Sequence, residues 1–190
     1  MKRPVLTIVA GSNGCGKTSM TTLARTKFQQ LPILDPDAMA RSLQETSDVS
    51  NSDIEAGRKV LREAEELIQA QQSFTVETTL SGSTYLKMAV RAKNAGFAVV
   101  AFFVGTTSVE INLARVRDRV KKGGHDVPEE DQLRRYPRTL ANMRKLLPLA
   151  DLAFIYDNST ERGHVIVGVG SFGAMRWVEP VPEWASGFQN

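Results

Sequence analysis

Gly11-Ser12-Asn13-Gly14-Cys15-Gly16-Lys17-Thr18 satisfies the pattern G-x-x-x-x-G-K-[ST] at every fixed position. The octet lies between Val5–Ala10, a short apolar run that Gly11 stops, and a helix-compatible stretch from Lys17 to about Gln30. Strand, loop and helix in that order make an anion site. Glycines let consecutive backbone N–H groups converge on the α- and β-phosphates of a nucleotide, and the helix N-terminus adds about half a positive charge. In such a loop Lys17 reaches the β- and γ-phosphates and Thr18 ligates Mg²⁺. Gly11, Ser12, Asn13, Gly14, Cys15, Gly16, Lys17, Thr18 and Ser19 are therefore expected to bind nucleotide. Cys15 is expected to fill space with its thiol turned from phosphate, a redox role being the alternative.

The alternation of strand and helix continues along the chain. Ile33-Leu34-Asp35 leads into a helix near Ala38 to Leu43, Phe74-Thr75-Val76 into Tyr85 to Lys93, and Phe97 to Val104 into Val109 to Lys121; Leu152 to Tyr156 is the fifth strand. Ile54, Leu61, Ala64 and Ile68 keep helical spacing, which predicts a further amphipathic helix between the second and third strands. The strands are continuously apolar, as burial on both faces by crossover helices requires. A three-layer α/β architecture with a mostly parallel sheet follows. Pro137 is expected to kink or shorten the last long helix, and Asp126 with Glu129 to cap it. His164 to Val169 and Ala174 to Val178 read as a hairpin added to the sheet edge. With no repeat, low-complexity tract or linker in 190 residues, residues 1–190 are expected to form one domain.

At 42% hydrophobic and 24% charged the composition is that of a soluble globular chain, and the single cysteine excludes an internal disulfide. The longest apolar run is far shorter than the roughly 20 residues of a membrane span, and the start lacks a signal peptide's apolar region. A cytoplasmic protein without membrane contact is expected. The net charge of +3 is too small to imply nucleic acid, but ten Lys/Arg against five acids fall between Asn112 and Lys145. One part of the surface is thus suited to an anionic ligand.

Phosphoryl transfer to a hydroxyl needs a carboxylate by the acceptor, cations around the γ-phosphate and a cover against water. Asp37, after the second strand, can take the acceptor proton or cap a helix. Glu77 and Thr79, after the third, can bind the acceptor, and Glu77 can alternatively order water on Mg²⁺. Arg115, Arg119 and Lys122 recur on one helical face, and Arg134 and Arg138 on another beyond Gly123-Gly124. Residues 115–138 are accordingly expected to form a lid in which Arg119 with Arg134 or Arg135 steadies the transition state. His125 either structures that loop or touches phosphate.

The octet resembles the ABC ATPase variant, and Thr79-Leu80-Ser81-Gly82 resembles the start of that family's signature, but Ile155-Tyr156-Asp157-Asn158 lies far downstream and lacks the expected glutamate. The chain is more similar, nearly end to end, to the zeta-toxin-like P-loop kinases. Its octet, Asp35-Pro36-Asp37, Phe74 through Gly82, Arg115 through Pro128, Arg134 through Arg138 and Tyr156 through Ser159 resemble that family's blocks in their order. The resemblance implies a core of strand order 2-3-1-4-5, a base matching Asp37, a sugar-nucleotide contact matching Glu77, and inhibition by a small antitoxin. Ser81 stands where zeta toxins carry an arginine. Asn158 follows the last strand, where kinases of this fold approach adenine, and turn formation is its alternative. The expected function is an ATP- and Mg²⁺-dependent kinase acting on a small-molecule hydroxyl, such as that of UDP-N-acetylglucosamine. Its alternatives are an ATP-binding regulatory module and a polynucleotide kinase, the latter disfavoured because few aromatics interleave with the arginines.

Overall fold

The computed structural model describes residues 3–27, 31–36, 38–39 and 52–189. Their strands form a single sheet in the order β2-β3-β1-β4-β5-β6-β7. Strands β1 (Val5–Ala10), β2 (Ile33–Leu34), β3 (Phe74–Thr78), β4 (Ala98–Gly105) and β5 (Leu152–Asp157) pair in parallel, and β6 (Val165–Ser171) and β7 (Ala174–Trp177) add an antiparallel hairpin at one edge. The order expected for the first five strands and the hairpin beyond them are both found. The helices include α1 (Lys17–Lys27), α2 (Ser52–Gln69), α3 (Thr84–Asn94), α4 (Val109–Lys121), α5 (Glu129–Leu146) and the short α6 (Glu183–Ser186).

The core lies on the sheet face where Leu6, Ile8, Phe74, Val76, Val99, Ala101, Phe103 and Ile155 meet the helices. Val60, Ala64 and Ile68 recur every fourth residue along α2, so they form the stripe that packs there, beside Met88, Ala89 and Ala92 of α3 and Met143 and Leu146 of α5. Register decides the geometry that function needs. Val9 of β1 lies beside Glu77 of β3, and Ala10 beside Thr78. The carboxyl ends of these neighbours therefore open at the same level, with the glycine-rich loop on one and an acid on the other.

Two local expectations are corrected. Helix α5 is not shortened by Pro137: it runs through it to Leu146, because burial of Thr139, Asn142, Met143 and Leu146 outweighs one missing N–H donor. Asp126 does not cap α5. Pro128 holds the N-cap position without a side-chain cap, and its carbonyl accepts the N–H groups of Asp131 and Gln132. The tail beyond the hairpin docks on the core, where Trp184 and Phe188 both pack against Phe103 at ring separations of 5.9 Å. Gly105 makes room for this, since a Cβ there would enter the Trp184 ring. The indole N–H of Trp184 donates to Asp157 at 2.8 Å.

Candidate functional site

Two open cavities meet at the carboxyl ends of β1 and β3. One, of about 440 Å³, is floored by Asn13, Gly14, Gly16, Lys17, Thr18 and Ser19 and walled by Arg115, Arg119, Gly123, Gly124 and His125. The other, of about 420 Å³, is bounded by Asp35, Pro36, Thr78, Thr79, Ser81 and Tyr85, and by Arg134, Arg135 and Arg138 of α5. Lys17 and Glu77 line both. Of the cavity-lining arginines on the two helices, those of α4 line the loop cavity and those of α5 the second.

The loop's shape comes from contacts that sequence distance conceals. Gly14 has φ +78°, and a Cβ there would strike the backbone carbonyl of Asn112 in α4. Gly16 has φ +100°, and a Cβ there would strike the side chains of Asn158 and His164. Both positions need glycine for conformation and for space. Lys17 is buried, its ammonium donating to the Ser12 carbonyl at 3.0 Å. Ser12 and Asn13 are buried beside it, and Asn13 Oδ1 has no hydrogen-bond partner. Cys15 is fully buried with its sulfur under Gly11, and that burial pushes the thiol above its ordinary value against the pull of Lys17.

Glu77 is 6% exposed, so its carboxylate requires partners. They come from α1: Thr18 donates to Oε1 at 2.9 Å and Thr21 to Oε2 at 2.5 Å. Thr18 itself is exposed at the loop cavity. A hydroxyl and a carboxylate side by side are the hard oxygen donors that Mg²⁺ takes, so this corner fits that ion. Thr79 lines the second cavity; its carbonyl accepts the Thr139 hydroxyl at 2.7 Å, while Asn142 donates to the Leu80 carbonyl at 2.9 Å. Helix α5 thereby holds the segment after β3 in place.

Arg119 donates to the carbonyl of His125 at 2.8 Å, folding the 122–125 loop back on α4. Arg134 and Arg135 both donate to Asp131, the latter at 3.0 Å. Asn158 is buried, with its amide donating to the Cys15 carbonyl at 2.7 Å. Asp37 lies outside the described residues. Four positions were given no role at the site from sequence: Asp35, which accepts the Ala38 N–H at 3.2 Å and lines the second cavity, Tyr85 in its wall, Thr21 on Glu77, and His164 at 3.0 Å from the Gly16 carbonyl. Asp35 shares the strand end that drew attention to Asp37, and Thr21 lies one turn beyond Lys17. Nothing local marks His164.

The family model described as Zeta toxin matches residues 1–162. The chain belongs to the zeta toxin family. An uncharacterized protein of Haemophilus influenzae is 35% identical over 126 residues, which are 66% of this chain and 88% of that protein. The PezAT chromosomal toxin-antitoxin system of Streptococcus pneumoniae contains a chain of similar fold, with TM-score 0.65, 22% identity, and coverage of 87% of this chain and 72% of that one. The AvrRxo1-ORF1:-ORF2 complex gives TM-score 0.74 at 19% identity, covering 97% of this chain and 66% of its own; its structure with ATP gives 0.67 at 18%, covering 99% and 64%. The segment Thr79-Leu80-Ser81-Gly82 lies within the zeta toxin match, not an ABC match, and Thr79, Ser81 and Gly82 line the second cavity.

Proposed function

We propose that this zeta toxin family member is a kinase that transfers the γ-phosphoryl group of ATP to a hydroxyl of a small molecule. The observation that carries it is the meeting of two cavities at Lys17 and Glu77, one built on the phosphate loop and the other on strand ends and arginines. A nucleotide in the first would direct its terminal phosphate at an acceptor in the second. Gly11 through Ser19 bind the phosphates. The Lys17 ammonium leaves the Ser12 carbonyl for the β- and γ-oxygens, and Arg119 offsets charge from the α4 side while Arg134 and Arg135 do so from α5. Thr18, with Glu77 behind its hydroxyl, would hold Mg²⁺, which would supply positive charge to offset that of the phosphates.

Asp37 takes the acceptor proton as the acceptor oxygen bonds to the γ-phosphorus, and the bond to the bridging oxygen breaks with ADP leaving. Thr79 and the outer face of Glu77 orient the acceptor. Residues 115–138 act as the lid that excludes water, and residues 1–190 act as one domain. The three arginines of the second cavity favour an acceptor with its own anionic group, such as a sugar nucleotide like UDP-N-acetylglucosamine. The toxin-antitoxin system that contains the PezAT chain supports a small protein antitoxin as partner. Among the described residues no helix is long and apolar enough to cross a membrane.

The experiment is a mass-spectrometric search of a metabolite extract, incubated with ATP and pure protein, for species that gain one phosphate. A product made by the parent chain and absent with Lys17→Ala supports the reading. Steady ATP hydrolysis with no phosphorylated product would favour a regulatory ATPase.

A further inference from the structure

Asn158 and His164, at the two ends of the connection between β5 and β6, both reach the phosphate loop, and His164 lies beyond the stretch the family model matches. Two consecutive loop carbonyls are engaged there. Cys15 O accepts from the Asn158 amide at 2.7 Å, and Gly16 O lies 3.0 Å from His164 Nε2. Both side chains are themselves held. The Asn158 N–H donates to Gly105 O at 2.9 Å and its carbonyl accepts from Arg115 at 2.7 Å. The His164 ring sits edge-on to Tyr156 at 6.5 Å.

A trans peptide points its carbonyl and its N–H in opposite directions. Holding the Cys15 and Gly16 carbonyls outward therefore turns the N–H groups of Gly16 and Lys17 the other way, toward the loop cavity. The missing Cβ of Gly16 shows how tightly this is arranged, since His164 Nε2 stands 3.2 Å from where that atom would be. We propose that His164, together with Asn158, is a positioning residue for nucleotide binding: it presets the Gly16 and Lys17 amides that receive the β-phosphate. For this the imidazole carries its hydrogen on Nε2 and donates it to the Gly16 carbonyl. The first strand of the hairpin thereby becomes part of the nucleotide site, through the residue that precedes it.

The inference rests on the proposed nucleotide binding, and the test separates the two. His164→Phe keeps a ring against Tyr156 but has no donor, whereas His164→Gln keeps a donor without the ring. Affinities for ATP and ADP are measured by titration calorimetry on the full chain, with melting temperatures alongside. The expected result is a loss of roughly tenfold for both nucleotides in His164→Phe, the size of one hydrogen bond's contribution, at a melting temperature close to the parent's. In His164→Gln most of the affinity returns. Parent-like affinity in His164→Phe overturns the inference, as does a loss in His164→Gln equal to that in His164→Phe. If His164→Phe fails to fold, His164→Leu, which also lacks a donor, takes its place: a tenfold loss supports the inference and parent-like affinity overturns it. A parent chain that binds neither nucleotide sinks the proposed function and this inference together.

Discussion

Thr18 and Glu77 stand 59 positions apart in the chain, and the hydroxyl of one donates to the carboxylate of the other at 2.9 Å. The contact follows from parallel pairing of β1 with β3, which puts the first residues of α1 level with the end of β3. It ties the loop cavity to the second cavity through one buried acid. In Glu77→Gln, ATP affinity without Mg²⁺ should stay near the parent's, while the gain from adding Mg²⁺ and the rate of transfer should fall, the latter by about 10²-fold. Nucleotide titration with and without the ion measures both. An unchanged Mg²⁺ effect would return Glu77 to a purely acceptor-side role.

Lys17 shares that junction and supplies its cation. Lys17→Ala should lower phosphoryl transfer by about 10²- to 10³-fold, on the order of 3–4 kcal/mol of transition-state stabilisation. Single-turnover assays with labelled ATP would show it, and transfer within tenfold of the parent would end the assignment.

Cys15 is fully buried, and burial raises its thiol above the ordinary value, with Lys17 opposing. A raised value means less thiolate at neutral pH, so the side chain should react slowly with a disulfide reagent in the native chain and rapidly in denaturant. Equal rates in the two states would show that the loop opens freely.

Asp151 is buried, which alone would raise its carboxyl. The Val99 N–H at 2.7 Å, with Lys93 and Arg3 nearby, outweighs this and holds it below the ordinary value of 3.8. A folded value below the unfolded one means that the contribution to stability is complete at neutral pH. It declines as pH falls through 3.8 and is gone below the folded value. Arg3 is half exposed and adds little, and the backbone bond is the largest of the lowering contributions, ahead of Lys93. Asp151→Asn should cost about 1–3 kcal/mol at pH 7 in urea unfolding, with the gap to the parent narrowing toward pH 3. A gap independent of pH would contradict this.

Gly105 lies under the Trp184 ring. Gly105→Ala should displace the tail, costing about 1–3 kcal/mol and shifting tryptophan fluorescence to the red as Trp184 becomes solvated. Unshifted emission with parent stability would show that the ring can slide aside.

The phosphate loop, the parallel strands and helix α4 at Val109–Lys121 were legible in the sequence, because each rests on local chemistry: glycine spacing, continuous apolar runs and helical periodicity. Glu77 at the end of β3 was legible as a strand-end carboxylate, and so was the basic character of residues 112–145. Side-chain partners were not. Asn158, read as adenine-facing or turn-forming, has its amide on the Cys15 carbonyl, and His164 had no local mark because its partner is 148 positions away. Pro137 misled in the other direction, since propensity speaks against a helix that buried residues on the following turns hold together.

Local sequence thus determined which segments could bind phosphate, which would be strands and where charge would gather, since those properties depend on near neighbours along the chain. Tertiary structure alone decided that Glu77 meets Thr18, that the arginines of α4 and α5 face different cavities, and that the start of the hairpin reaches the loop. Strand register and helix docking fix those distances, and no short stretch of sequence contains them.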